Sequence, residues 1–142
     1  MRSVADLLHD KGSEVWAVAP DQTVLDALRL MAEKEVGALL VTSGDQVVGI
    51  VSERDYARKI VLRGKSSETT PVREVMSGEV TAVSPRQSIE ECMAVMTAKR
   101  IRHLPVMESG KLVGIVSIGD LVKAVIEEQE FTIRQLEHYI VT

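Results

Sequence analysis

The sequence predicts an α/β (α+β) fold built from two pseudo-symmetric βαββα repeats. Three observations predict it. Residues 15–62 laid over residues 80–127 at a constant offset of 65 match at 15 of 48 positions without a gap. Each copy carries a Ser/Thr-x-x-acid helix start before apolar residues at helical spacing. Each then shows two apolar runs separated by a short polar turn, which is a strand–turn–strand signal. Two copies are too few for a solenoid, so a pair packed face to face is the expected arrangement.

The elements follow in order. Val15-Trp16-Ala17-Val18 reads as a short strand stopped by Pro20. Thr23-Val24-Leu25-Asp26 has the form of a capping box, and Val24, Ala27, Leu28, Met31 and Ala32 give the following helix one apolar face to about Glu35. In the second copy Ser88-Ile89-Glu90-Glu91 repeats the start, and Ile89, Cys92, Met93 and Met96 repeat the face. Ala38-Leu39-Leu40-Val41 and Val47-Val48-Gly49-Ile50-Val51 are strands joined by a turn at Ser43-Gly44-Asp45. Their counterparts, Leu104-Pro105-Val106 and Leu112-Val113-Gly114-Ile115-Val116, turn at Ser109-Gly110. Second helices start near Glu53 and Ile118. Thr70-Pro71 is expected to open a short helix with Thr as cap and Pro at its first position. The residues after it, Val72-Arg73-Glu74-Val75-Met76, resemble Val4-Ala5-Asp6-Leu7-Leu8, so the lead-in also occurs twice.

Composition narrows the function classes. The 142 residues are 45% apolar, 27% charged and 3% aromatic, with 21 acids against 17 bases and a net charge of −4. A chain of this length buries roughly 70% of its unfolded surface and needs neither disulfide nor metal to hold a core. Cys92, the lone cysteine, fits a reducing compartment. Asp6, His9, Asp10 and Lys11 interrupt any early apolar run, so no secretory signal is expected. With no apolar run as long as a membrane span, a cytoplasmic location without membrane attachment is the expectation. The acidic balance argues against nucleic-acid partners, which require phosphate neutralisation.

The sharpest shared feature is Gly49-Ile50-Val51-Ser52-Glu53-Arg54-Asp55 against Gly114-Ile115-Val116-Ser117-Ile118-Gly119-Asp120. One reading is structural, with Ser52 or Asp55 capping the second helix. The other is functional. A helix N-terminus offers free N–H groups to a phosphate, a nearby Asp accepts ribose hydroxyls, and the glycine lets the backbone approach a ligand closely. The run Arg54, Arg58, Lys59, Arg63, Lys65 is either a solvated helix face or, through Arg58 or Lys59, a reach toward a di- or triphosphate tail. His9, His103 and His138 lie at no metal spacing from Cys92, which is expected to be a buried structural thiol. Gly44-x-x-x-x-Gly49 is followed by Ile50 rather than Lys and fails the P-loop pattern, and no catalytic constellation is visible, so no enzyme is expected.

With these motifs, the phrase Arg102-His103-Leu104-Pro105-Val106 and the Val-x-Ala-Val-x-Pro starts, nearly the whole chain resembles the cystathionine β-synthase (CBS) domain family, in the form of a stand-alone tandem pair or Bateman module. The resemblance implies a first repeat with its lead-in over residues 1–64, a linker over 65–71, and a second repeat with a helical extension over 72–142. It further implies a non-catalytic regulatory module that binds adenosine ligands (AMP, ADP, ATP, NAD or S-adenosylmethionine) in up to two clefts between the repeats, without any catalytic cofactor or metal. One cleft would combine Ile50, Ser52, Arg54 and Asp55 with Gly78, Val80, Ala82, Arg102 and His103. The other would combine Ile115, Ser117, Gly119 and Asp120 with Lys11, Gly12, Trp16, Ala17, Gly37 and Ala38. Each Asp would hold a ribose. Arg102 and His103 favour a phosphate over the sulfonium end of S-adenosylmethionine, so AMP, ATP or NAD is preferred. Gly37-Ala38 replaces that basic pair in the second cleft, which could be empty, looser or built for another part of the ligand.

Val122, Ile126, Ile133, Leu136 and Ile140 keep helical spacing past the end of the second repeat, with Glu127, Glu128, Glu130 and Glu137 between them. This helix either folds back on its own repeat or meets a partner. The resemblance implies a homodimer formed through helices, and an effector protein that the sequence does not name. The competing reading is a structural interaction module with vestigial ligand sites.

Overall fold

A computed structural model describes residues 2–141; Met1 and Thr142, the outermost residues of the two predicted repeats, lie outside the described residues. The elements run α1 (Val4–Lys11), β1 (Ala17–Val18), α2 (Val24–Lys34), β2 (Ala38–Ser43), β3 (Gln46–Ser52), α3 (Glu53–Tyr56), α4 (Ile89–Lys99), β4 (His103–Glu108), β5 (Lys111–Ser117) and α5 (Ile118–Val141). The chain divides into two compact units: Glu14–Thr81, and Met1–Ser13 together with Ala82–Thr142.

In the unit Glu14–Thr81, the sheet order is β1-β2-β3. β1 lies parallel to β2, pairing Ala17 with Leu40 and Val18 with Val41. β2 and β3 form an antiparallel hairpin from Ala38↔Ser52 to Ser43↔Gln46, with a register shift between Val41 and Thr42. The apolar face of α2 covers this sheet because Thr23 and Asp26 complete the capping box and Val24, Ala27 and Met31 point inward. α3 continues as a π turn over Ala57–Val61, which brings Ile60 into the core.

The unit that contains α4 repeats this plan. β4 and β5 pair from His103↔Ser117 to Glu108↔Lys111, and the register shift falls between Val106 and Met107, the positions equivalent to Val41 and Thr42. Both turn residues have positive φ, 52° at Ser109 and 77° at Gly110, the conformation that suits the twist of a two-residue hairpin. The predicted first strand of this copy is reduced to a single bridge between Val83 and Val106. The reason is Pro105. Its counterpart Leu40 donates its N–H to Trp16 O at 3.3 Å, and proline has no N–H to give.

The lead-ins pack across the order in which they occur. Val4 and Ala5 donate to Gln87 O and Pro85 O, both at 2.9 Å, and Val72 and Arg73 donate to Gln22 O at 2.8 Å and Pro20 O at 3.0 Å. Gln22 and Pro20 are the equivalents of Gln87 and Pro85, so the two lead-ins dock in the same way. The sequence places residues 1–13 with the first repeat and 72–81 with the second. In the structure Val4 and Leu7 join the core of the second copy, and Val72 and Val75 join that of the first. Burial of each such side chain is worth about 1.5–3 kcal/mol, which makes the lead-ins integral to the units they enter. The expected helix at Thr70-Pro71 is a 3-10 turn over Val72–Glu74 with Pro71 at its cap, and it lacks the side-chain cap that Ser3 and Asp6 give α1.

α5 begins on the core of its unit through buried Leu121 and Ala124 and half-buried Val125. Residues 129–140 are all exposed, so the fold-back covers only its first turns. No helix among the described residues is long and apolar enough to cross a membrane.

Candidate functional site

Each Gly-φ-φ-Ser-x-x-Asp motif sits where the second strand of a hairpin runs into a helix. At the end of β3, Ser52 Oγ accepts the Asp55 N–H at 3.3 Å, and Asp55 Oδ2 accepts the Ser52 N–H at 2.8 Å. At the end of β5, Ser117 Oγ accepts the Asp120 N–H at 3.1 Å, and Asp120 Oδ2 accepts the Ser117 N–H at 2.8 Å. The structural reading of the motif therefore holds at both sites. It is not peculiar to them, because Ser3/Asp6, Thr23/Asp26 and Ser88/Glu91 form the same box at α1, α2 and α4.

What sets Asp55 and Asp120 apart is a lysine. Lys11, at the end of α1, donates to Asp120 Oδ2 at 2.7 Å and to Ile115 O at 2.9 Å. Lys59, in the π turn, lies 3.4 Å from Asp55 Oδ1 and donates to Val75 O at 2.8 Å. Each ammonium thus ties the motif carboxylate to backbone, one from a lead-in and one from the helix that follows the motif. Burial pushes the Asp120 carboxyl up, but Lys11 and the Ser117 N–H outweigh it and hold the group below the usual carboxylate range. The Lys11 ammonium and the Ser117 N–H both meet Oδ2.

Arg102 and His103 lie beside this motif in the same unit: Arg102 O accepts the Ile118 N–H at 2.8 Å, and His103 pairs with Ser117 across β4 and β5. Burial holds the His103 imidazole below the usual histidine range; the Asp120 charge opposes this, and Lys11 and Arg102 reinforce it. The unfolded chain, with a histidine pKa of about 6.5, therefore takes up the proton first on acidification. Stability contributed by neutral His103 is fully present above about pH 6.5 and is lost as pH falls toward the lower folded value. His103→Gln is expected to flatten the fall of the melting temperature as the pH is lowered below about 6.5, a change that thermal unfolding across a pH series measures.

The unit Glu14–Thr81 brings together the other predicted residues. Ile50 exchanges backbone hydrogen bonds with Ser77 at 2.9 and 3.1 Å, just before exposed Gly78 and half-buried Val80. Gly37 O accepts the Glu53 N–H at 3.1 Å, and Ala38 pairs with Ser52. Trp16 is half-buried with the Lys34 ammonium 4.3 Å from its ring centroid, and Ala17 is exposed on β1. Arg54, Arg58, Arg63 and Lys65 are exposed, and Lys59 alone of the basic run is drawn in, to Asp55.

Of the residues grouped with Asp55 by resemblance, Ala82, Arg102 and His103 belong to the other unit. Of those grouped with Asp120, Lys11, Gly12, Ile115, Ser117 and Gly119 share its unit, and Trp16, Ala17, Gly37 and Ala38 do not. Gly12 ends α1 at φ 93°. The motif glycines admit protein rather than ligand: a Cβ on Gly49 would lie 2.6 Å from Met76 Sδ and 2.8 Å from Ser77 O, and one on Gly114 would lie 2.7 Å from a Leu8 methyl. Cys92 is buried in the core, and burial pushes its thiol up to about 11, so it is no nucleophile at neutral pH. Sequence reasoning missed a hollow of about 350 Å³ lined by Leu28, Met31, Ala32, Glu35, Val36, Gly37 and Glu53. The copies give no signal for it, since Arg100 and Ile118 replace Glu35 and Glu53.

A family description, the CBS domain, matches residues 4–62 and again residues 72–127. The chain belongs to the CBS-domain family. Among relatives of this CBS pair, the mitochondrial CBS domain-containing protein CBSX3 of Arabidopsis thaliana is 39% identical over 97% of this chain and 71% of its own. The CBS domain-containing protein YhcV of Bacillus subtilis is 37% identical over 85% of this chain and 84% of its own. A solved CBS-domain structure from Burkholderia ambifaria, described by name with signal transduction, is 54% identical, with a TM-score of 0.86 over 89% of this chain and 96% of its own. Paired CBS proteins of this kind are commonly regulatory rather than catalytic.

Proposed function

We propose that this CBS pair is a non-catalytic regulatory module that binds adenine nucleotides through its two Ser-x-x-Asp motifs. The observation that carries the reading is the state of the two carboxylates. Asp55 and Asp120 stand at helix starts as acceptors, each next to a fixed ammonium, whereas the acids of the other three capping boxes have no lysine partner among the described residues. A carboxylate held in this way accepts hydroxyl donors from a ribose, the positive helix end and Lys11, Lys59 or Arg102 supply charge for phosphate, and neutral His103 offers a hydrogen-bond donor. Ligand binding regulates only if it favours one arrangement of the protein over another. The alternative, an interaction module with vestigial sites, is favoured by the completeness of the capping boxes, which account for Ser52, Asp55, Ser117 and Asp120 without any ligand.

Thermal unfolding separates the two. A ligand that binds only the folded chain stabilises it by about 2.7 kcal/mol at 100 times its dissociation constant. AMP, ATP or NAD is expected to raise the melting temperature, with S-adenosylmethionine weaker. No shift from any of the four at saturating concentration would favour the interaction module.

A further inference from the structure

Each lead-in touches its motif at both ends. Leu8 of α1 packs against Gly114, and Met76 with the Ser77 carbonyl packs against Gly49. At the far end of each motif an ammonium joins the aspartate to a lead-in. Lys11, the last residue of α1, donates to Asp120 Oδ2 at 2.7 Å, and Lys59 lies 3.4 Å from Asp55 Oδ1 while donating to Val75 O at 2.8 Å. The two lysines are not copies of one another. Glu79 stands opposite Lys11 when the lead-ins are aligned on Val4 and Val72, and Ala124 stands opposite Lys59. The same connection is therefore made twice from unrelated positions, which duplication of a packed repeat does not explain.

Each lead-in is also a crossing. The chain passes from one unit to the other after Ser13, directly beyond Lys11 and Gly12, and again after Thr81, beyond Val75. The ion pairs are placed where they can exchange partners. Their side chains keep between 18% and 34% exposure, so neither is a fully buried pair that is costly to open. Ribose hydroxyls compete with the ammonium for the carboxylate, and phosphate competes with the carboxylate for the ammonium. We infer that Lys11 and Lys59 are latches that hold the lead-ins to the motif aspartates, and that a nucleotide bound at the aspartate draws the ammonium away and loosens the lead-in where it leaves its unit. Differential contact with the latched and unlatched states is what lets the ligand shift their balance. The release rests on the nucleotide reading; the latch does not.

Amide hydrogen exchange of the full chain, resolved by residue, tests both, with thermal unfolding as the check on folding. The reporters are the Gly12 N–H, bound to Leu8 O at 2.8 Å, and the Met76 N–H, bound to Val72 O at 3.0 Å. Lys11→Met and Asp120→Asn are each expected to speed exchange at Gly12 several-fold, and Lys59→Met and Asp55→Asn to do so at Met76, with the amides of α2 and α4 unchanged. The double variants Lys11→Met/Asp120→Asn and Lys59→Met/Asp55→Asn are expected to exchange no faster than the singles, because each single already breaks the one contact. Saturating AMP, ATP or NAD, with binding verified by calorimetry, is expected to speed exchange at the reporter beside each occupied motif in the wild-type chain and not in the Lys→Met variants. Singles without effect, or additive effects in the doubles, would overturn the latch whether or not a nucleotide binds. A bound nucleotide that leaves both reporters unchanged or slows them would overturn the release. Absence of binding would overturn the nucleotide reading and the release with it, and the double variants then judge the latch alone.

Discussion

Gly49→Ala is expected to destabilise the chain by about 1–3 kcal/mol, the range for overpacking at a site that cannot yield. The added Cβ would stand 2.8 Å from Ser77 O, which accepts the Ile50 N–H while the Ser77 N–H donates to Ile50 O, and 2.6 Å from Met76 Sδ. Met76 can swing away, but Ser77 O cannot move without breaking the bridge that joins the lead-in to β3. Gly114→Ala, at the equivalent position, meets only side-chain atoms of Leu8 and no backbone, and its expected cost is smaller. Chemical denaturation of the two variants measures the difference. Equal losses would show that the lead-in backbone is not what requires Gly49.

Asp55→Ala and Asp120→Ala are expected to weaken nucleotide binding by about 1.5–3 kcal/mol each, or roughly 10–150-fold, at the site that each serves. Removal of the carboxylate deletes a hydrogen-bonded acceptor and leaves Lys59 or Lys11 without its partner. Each variant also loses one arm of a capping box, at about 0.5–2 kcal/mol of stability. Asp26→Ala loses the same arm with no motif lysine involved, and so calibrates the stability term. Reduced affinity in the motif variants but not in Asp26→Ala assigns the effect to the ligand.

Much of this architecture was legible because the duplication constrains it twice. The capping boxes, the two hairpins and the buried faces of α2 and α4 all follow from residue type and spacing, and the family follows from the joint pattern. The loss of a strand before β4 turns on one missing N–H at Pro105, which a repeat alignment passes over as Leu40 against proline. The packing of the lead-ins was hidden for a different reason. Val4 and Val72 are equivalent apolar residues in equivalent segments, so either copy's core could accept either one, and only the three-dimensional path of the chain decides. The resemblance grouped Lys11 with Asp120, but the Lys11–Asp120 and Lys59–Asp55 ion pairs are themselves products of folding. Lys11 is 109 residues from its partner. Lys59 is one turn from Asp55 and has no counterpart in the second copy, where Ala124 stands in its place.

The central claim is that the two motifs hold adenine nucleotides. Calorimetric titration of the full chain, freed of carried-over nucleotide, with AMP, ATP, NAD and S-adenosylmethionine tests it most directly. The account predicts micromolar binding of at least one phosphorylated ligand at one or two sites per chain, with the stoichiometry lowered by one in whichever Asp→Ala variant serves that site. Absence of heat with all four ligands across temperatures, or unchanged affinity and stoichiometry in both variants, would contradict it.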